Sequence, residues 1–289
     1  MSTIAVSGYA TFDYAMALCH PLQVNQTAVV KRRLSHPWPR QGGCAPNIAR
    51  GLLAEGHQAA LVTWLGSDDL GSMYLNDLRL EGIGVEGVEI MVDARTACTY
   101  LLYDDDGSTS CILDMSDHVS TGLTESQWRV LNTADWMCVT VGPRHATSEL
   151  LTRLRPDIPL VFSVKADHDA FPPQLMRKCL ERAAIVALNN AERGFLEASV
   201  GAGYLRQVAK GGTIFIETRG AHGVRIVVAG AEEIVPVKPV IAKDTTGAGD
   251  RFLAAVIAAL ANSQERYEPK VVKNAVRSGI AAARTYLLA

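Results

Sequence analysis

Short apolar runs rich in β-branched residues recur along this chain, each followed by a stretch of helical periodicity. That alternation constrains the fold more than any other feature. The runs are Thr3–Ser7, Ala59–Trp64, Trp136–Val141, Pro159–Val164, Ala184–Leu188 and Thr213–Thr218. They lack the apolar–polar alternation of a strand with one wet face, and such strands suit a parallel sheet covered on both sides. The helical stretches include Ala45–Glu55, Leu70–Glu81, Ser148–Arg155, Pro173–Arg182, Ala191–Ala198 and Gly247–Asn262. Strand followed by helix over nearly the whole length predicts an α/β fold, a mostly parallel, doubly wound sheet.

Two segments break the rhythm. Residues at about 14–39 have no helical period and carry Pro21, Pro37 and Pro39. Residues at about 85–113 read as strands joined by a hairpin, with Asp104-Asp105-Asp106-Gly107 between Thr99–Tyr103 and Thr109–Leu113. Asp-Gly between two β-like runs is a strong hairpin signal. The two segments are expected to pair as a small β-rich lid inserted in a single domain spanning 1–289, over one end of the main sheet.

Charge and hydropathy remove other classes. Twenty-eight basic residues against 30 acidic ones leave a formal charge of −2, without the basic excess of a nucleic-acid binder. The longest apolar run, Phe252–Ala261, is about half of what a bilayer span needs. Ile4–Val6 leads straight into Gly8 and Asp13 with no basic segment ahead of it, unlike a signal peptide. Six scattered cysteines include no Cys-x-x-Cys, and a chain long enough for its own core needs no disulfide staples. A cytoplasmic protein with free thiols, and neither nucleic-acid nor membrane partners, is expected.

The chemistry concentrates in Asp244-Thr245-Thr246-Gly247-Ala248-Gly249-Asp250, which runs directly into the apolar helix. Gly247 and Gly249 let backbone amides approach a ligand closely, and a helix start offers unpaired N–H groups and partial positive charge. Together these make an anion site suited to phosphoryl transfer. Asp250 falls in the first helical turn, where a carboxylate repels phosphate but can accept a proton from a hydroxyl approaching phosphorus. A plain helix cap is the competing reading, set against two acids, two threonines and two glycines within seven residues. Other nucleotide motifs fail. Gly66-Ser67-Asp68-Asp69-Leu70-Gly71-Ser72 has P-loop glycine spacing but no lysine, and no Gly-x-Gly-x-x-Gly follows the first strand.

With further segments added, the chain resembles the ribokinase, or PfkB, family of carbohydrate and nucleoside kinases. The heptapeptide matches that family's C-terminal motif. Gly42-Gly43-Cys44-Ala45-Pro46-Asn47, continuing through Gly66-x-Asp68-x-x-Gly71 to Leu80-x-Gly82-Ile83, matches an upstream one. Gly8 to Asp13, Asn189-x-x-Glu192 and Thr218-x-Gly220-x-x-Gly223 complete the set in the family's order over nearly the entire chain. The resemblance implies a three-layer α/β/α sandwich and an ATP-dependent kinase. Asp250 would be its base, and the amides of Gly247, Ala248 and Gly249 its anion hole. Asp13, Gly42, Gly43 and Asn47 would hold the acceptor. Asn189, Thr218, Gly220 and Gly223 would serve ATP, and Glu192 a Mg²⁺ ion through water.

By the same resemblance, Asp244 and Thr246 help hold a monovalent cation such as K⁺. Members that bind one usually continue past the last helix into a small-residue loop, whereas this chain stops at Tyr286-Leu287-Leu288-Ala289, which argues against potassium activation. At Phe162-Ser163-Val164-Lys165 the chain also departs from the acidic or Asn-containing strand end common in the family, and Lys165 is left either reaching substrate or solvated. Lys31-Arg32-Arg33 reads as a solvated run, or as a phosphate contact if the acceptor is already phosphorylated. A primary alcohol of a sugar is the expected acceptor. A nucleoside is the rival, kept open by Tyr9, Phe12, Tyr14 and Trp38, and a non-catalytic sensor on the same fold is a second. Pairing of lids into a homodimer is expected.

Overall fold

The structure, a computed structural model, describes residues 1–34, 36–104, 109–116, 122–240, 242 and 244–288. In chain order the elements begin with β1 (Thr3–Ser7), β2 (Thr11–Leu18), β3 (Val30–Arg33), β4 (Arg40–Gly42), α1 (Cys44–Ala54), β5 (Gln58–Gly66), α2 (Asp69–Leu80) and β6 (Gly84–Met91). They continue with β7 (Cys98–Tyr103), β8 (Thr109–Asp114), α3 (Glu125–Thr133), β9 (Trp136–Val139), α4 (Arg144–Arg153), β10 (Leu160–Ser163), α5 (Pro173–Arg182) and β11 (Ile185–Asn189). The last are α6 (Asn190–Val200), α7 (Ala202–Lys210), β12 (Ile214–Thr218), β13 (Val224–Val228), β14 (Ala231–Val235), α8 (Ala248–Ala261) and α9 (Pro269–Leu288).

Nine strands form the large sheet, in the order β14-β13-β12-β11-β10-β9-β1-β5-β6. Pairings from β6 to β12 are parallel, while β12, β13 and β14 pair antiparallel. Along β1, Ile4 and Val6 enter one core and Ala5 the other, which is why the strand carries no polar alternation. Residues of α1, α2, α8 and α9 fill the first core, and residues of α3 to α7 the second. The result is the three-layer α/β/α sandwich. Because β1 lies between β5 and β9, the winding reverses there, and ligands of such sheets collect at the carboxyl ends of strands around the reversal.

A second sheet runs β3-β2-β7-β8, with β4 added along β2. It begins at Thr11, ahead of the expected boundary, and takes in Arg40–Gly42. Residues 85–91, expected in this lid, are not part of it: they belong to β6, which pairs parallel with β5 and extends the large sheet. The reason is connectivity, since β5–α2–β6 is a strand–helix–strand crossover that returns the chain to the same sheet. Strands β7 and β8 pair antiparallel as a hairpin requires, while residues 105–107 of its turn lie outside the described residues. No cysteine is disulfide-bonded; Cys138 and Cys179 are buried, and Cys111 is exposed. Among the described residues no helix is long and apolar enough to cross a membrane.

Candidate active site

Helix α8 starts at the glycine turn, with Gly247 as its N-cap in the left-handed region at φ 83°. That conformation is open to glycine and strained for other residues. A Cβ on Gly249 would meet nothing within 4 Å, so open space lies against that backbone. The Ala248 amide donates to Thr245 O at 3.2 Å, which corrects the expectation that it faces a ligand, and Arg251 N–H starts the helical ladder on Gly247 O. Helix geometry leaves the first-turn amides of Gly249 and Asp250 without intrahelical acceptors. Asp250 is buried, and burial raises its pKa. Lys165, Asn47 and Cys44 pull it back toward the carboxylate, while Glu192 opposes them. Cys44 is itself pushed up to about 12 by burial, so its thiol stays protonated.

The acceptor-side residues meet Asp250 through one hydrogen bond, from Asn47 Nδ2 on α1 to Asp250 Oδ2 at 3.1 Å. Asp13 lies on β2 in register with Arg40 on β4 and Thr99 on β7, and the three share a face of the lid sheet. Thr11 Oγ1 donates to Asp13 Oδ1 at 2.9 Å. Burial pushes the Asp13 carboxyl up to about 6 against the pull of the Thr11 hydroxyl, Arg40 and Thr99, and Asp250 adds to the rise. Gly42 is required beside it, because a Cβ there would lie 2.1–2.2 Å from the Asp13 carboxyl atoms. Gly43 caps α1 at φ 95°, with its α-carbon turned against Tyr9 O, which a Cβ would approach to 2.4 Å.

Strand alternation turns Phe12 and Tyr14 to the face opposite Asp13. There Phe12 packs edge-on against Tyr74 at 5.4 Å, while Tyr14 contacts Trp38 at 5.0 Å and Tyr100 at 5.2 Å. Tyr9 is buried ahead of the strand. Of the aromatic residues that kept a base site open in the sequence, Phe12, Tyr14 and Trp38 are thus engaged by other rings, and Tyr9 is buried. Of the Lys31–Arg33 run, all exposed, Arg33 lies over the Trp38 ring, its Cζ 3.9 Å from the centroid.

A second group converges from the other side. Lys165, Asn189, Glu192 and Thr218 line one cleft together with Gly249 and Asp250. Asn189 and Glu192 form a reciprocal cap on α6: Glu192 N–H donates to Asn189 Oδ1 at 2.8 Å, and Asn189 N–H to Glu192 Oε2 at 2.7 Å. Lys165 Nζ lies 3.2 Å from Glu192 Oε1. Thr218 ends β12 in register with Asn189. Gly220 and Gly223 do not line this cleft. Gly220 opens a short 3₁₀ turn at φ 54°, and Gly223 sits at φ 92° where a Cβ would lie 2.6 Å from Val235 O, so both serve the β12–β13 connection.

Asp244 and Thr246 are engaged by groups the sequence did not point to. Arg40 Nη1 pairs with Asp244 Oδ2 at 2.6 Å, and Thr246 N–H donates to Asp244 Oδ1 at 2.9 Å. The Tyr286 hydroxyl on α9 donates to Thr246 O at 3.1 Å, and Tyr103 O–H shares a hydrogen bond with Thr246 Oγ1 at 2.7 Å. Arg40 also holds a buried nitrogen, Nη2, with no hydrogen-bond partner. These contacts cross between distant segments, so no local motif announced them.

Chemically, a helix start with free amides, a buried carboxylate tied to helix α1, and a polar cleft at strand ends suit transfer of a phosphoryl group to an alcohol. The fold has known relatives: it superposes on a nucleoside kinase of Methanocaldococcus jannaschii with a TM-score of 0.80 at 17% identity, covering 100% of this chain and 92% of that one. In sequence the chain is 26% identical to a fructokinase of Klebsiella pneumoniae over 238 residues, 76% of each protein. It is 28% identical to an ATP-dependent ribose-1-phosphate kinase of Halopiger xanaduensis over 226 residues, 75% of this chain and 72% of that protein. Residues 7–288 match the pfkB family carbohydrate kinase profile. The chain belongs to that family, whose members are ATP-dependent phosphotransferases acting on sugar hydroxyls.

Proposed function

We propose that the protein transfers the γ-phosphoryl group of ATP to a primary hydroxyl of a sugar, working as one domain with the small sheet as lid. The Asn47–Asp250 hydrogen bond carries this reading, because it ties the acceptor loop to the base at the anion-binding helix start. Asp13 accepts hydrogen bonds from the sugar's hydroxyls, and Asn47 orients the reacting one toward Asp250. Its oxygen attacks the γ-phosphorus as the bond to ADP breaks, and Asp250 takes its proton. The amides of Gly249 and Asp250 stabilise charge on the moving phosphoryl group. Asn189 and Thr218 hold the nucleotide. A free sugar is favoured over a nucleoside because Phe12 and Tyr14 face away from Asp13 and offer a base no platform. A coupled ADP-release assay over a panel of sugars and nucleosides tests this. Turnover with a sugar and not with nucleosides is expected; turnover with nucleosides alone would transfer the reading to them, and binding without ADP release would make the protein a sensor.

Glu192, with both oxygens already engaged, does not build a magnesium cage, and no cluster of three His, Cys, Asp or Glu exists among the described residues. That donor set would suit a Mg²⁺ ion delivered on ATP that keeps most of its water shell, with Glu192 holding it through water. Such an ion neutralises phosphate charge. A bound K⁺ fits poorly: Arg40 and the Thr246 N–H engage the two Asp244 oxygens, and the Tyr286 hydroxyl already donates to the Thr246 carbonyl. Turnover is therefore expected to be unchanged when K⁺ replaces Na⁺ at constant ionic strength, and a several-fold rise in K⁺ would contradict this. Pairing into a homodimer is proposed through the lid's outer face, where Tyr100 and Ile112 are exposed side by side. A monomer by light scattering at working concentration would remove that pairing.

A further inference from the structure

We propose that Lys165 binds the γ-phosphoryl group of ATP during transfer, an assignment that rests on the kinase reading above. Lys165 follows the carboxyl end of β10, the strand registered beside β11, so it stands in the row of strand ends that carries Asn189 and Thr218. Its side chain enters the cleft formed with Asn189, Glu192, Thr218, Gly249 and Asp250. Among the described residues lining that cleft Lys165 carries the single positive charge, facing two buried carboxylates, Glu192 and Asp250.

That charge arrangement poses a problem which Lys165 answers. A triphosphate brought against Gly249 must pass two carboxylates that repel it, in surroundings where charges are poorly screened. A lysine ammonium is a compact point charge with three donors, well suited to phosphate oxygens. The carboxylates of Asp250 and Glu192 raise the pKa of Lys165 against the effect of burial, so it remains an ammonium.

A purely structural role, holding Glu192 in place, fits less well. Glu192 is already fixed by the reciprocal cap with Asn189, through its other carboxylate oxygen. The lysine side chain keeps 33% of its surface exposed and lines the cleft, so it is not sealed in the core behind Glu192. Lys165 forms no covalent bond in the step. It holds non-bridging oxygens while the phosphorus–oxygen bond to ADP breaks and the bond to the acceptor forms, the proton passing to Asp250.

The test compares calorimetric binding of Mg·ATP and Mg·ADP, without acceptor, to the unaltered protein, Lys165→Met and Lys165→Arg. Melting curves verify that each variant folds. Lys165→Met is expected to weaken ATP roughly 10- to 100-fold, the range for losing a charged hydrogen bond, while ADP changes less than about threefold. Lys165→Arg, which keeps the charge, is expected to restore most of the preference for ATP. Equal weakening of ATP and ADP in Lys165→Met, or no weakening of either, would overturn the assignment and leave the kinase reading intact. Failure of the unaltered protein to bind ATP would instead overturn the kinase reading itself.

Discussion

Replacing Asp250 with asparagine is expected to leave a folded protein that binds ATP at least as tightly as the unaltered chain yet turns over roughly 10³–10⁴-fold more slowly. Each part of that result has its own cause. Asparagine fills the same volume and can still accept the hydrogen bond from Asn47 Nδ2. Removing a buried carboxylate beside the anion site removes a repulsion that ATP must otherwise overcome, so affinity does not fall. What is lost is the group that accepts the alcohol's proton. Steady-state kinetics with calorimetric ATP binding checks both halves, and turnover within tenfold of the unaltered protein would take Asp250 out of the mechanism.

The second large effect lies on the acceptor side. Gly42→Ala is expected to raise the acceptor KM by roughly 10- to 100-fold and to leave ATP binding unchanged. The new methyl group would occupy the place of the Asp13 carboxyl, which must then rotate away from the acceptor. The same carboxyl gives a pH signature. Burial holds Asp13 at about 6, so it accepts hydrogen bonds from hydroxyls above that pH and is protonated below it. Acceptor KM in the unaltered protein should therefore rise as pH falls through about 6. An acceptor KM flat from pH 5 to 8, together with a normal one in Gly42→Ala, would remove Asp13 from acceptor binding.

Much of the frame is readable in the chain. Thr3–Ser7 and Pro173–Arg182 have the bounds their apolar patterns predict. Helices α3, α7 and α9 went unread for different reasons. The capping box of α3, Thr124 with Gln127, is visible in sequence, but the helix is nine residues long. On α9 the buried stripe is Val272, Ala275, Val276 and Gly279, whose small side chains give a weak apolar signal. They are small because α8 packs close: a Cβ on Gly279 would lie 2.7 Å from Val256 Cγ2.

The candidate site divides in the same way. Asp250, Asn47, Asp13 and Glu192 stand in local motifs, and glycines beside them announce close backbone approach. Their partners do not. Arg40 faces Asp13 through strand register and reaches Asp244 across 204 positions of sequence, and Tyr286 reaches Thr246 from the last turns of a helix. Register and tertiary reach are properties of the folded chain, and no spacing rule exposes them. Lys165 is intermediate: its place at a strand end is readable, but its position facing two buried carboxylates is not.

Catalysis as proposed requires the reacting hydroxyl to lie between Asp13 and Asp250, facing a phosphoryl group held at the start of α8. A crystal structure with the accepted sugar and a non-hydrolysable ATP analogue measures this directly. One acceptor hydroxyl is expected within hydrogen-bond distance of an Asp250 oxygen, with neighbouring hydroxyls on Asp13 and the γ-phosphate against the Gly249 and Asp250 amides. A sugar bound away from Asp250, or an analogue whose phosphates lie elsewhere than the glycine turn, would contradict it.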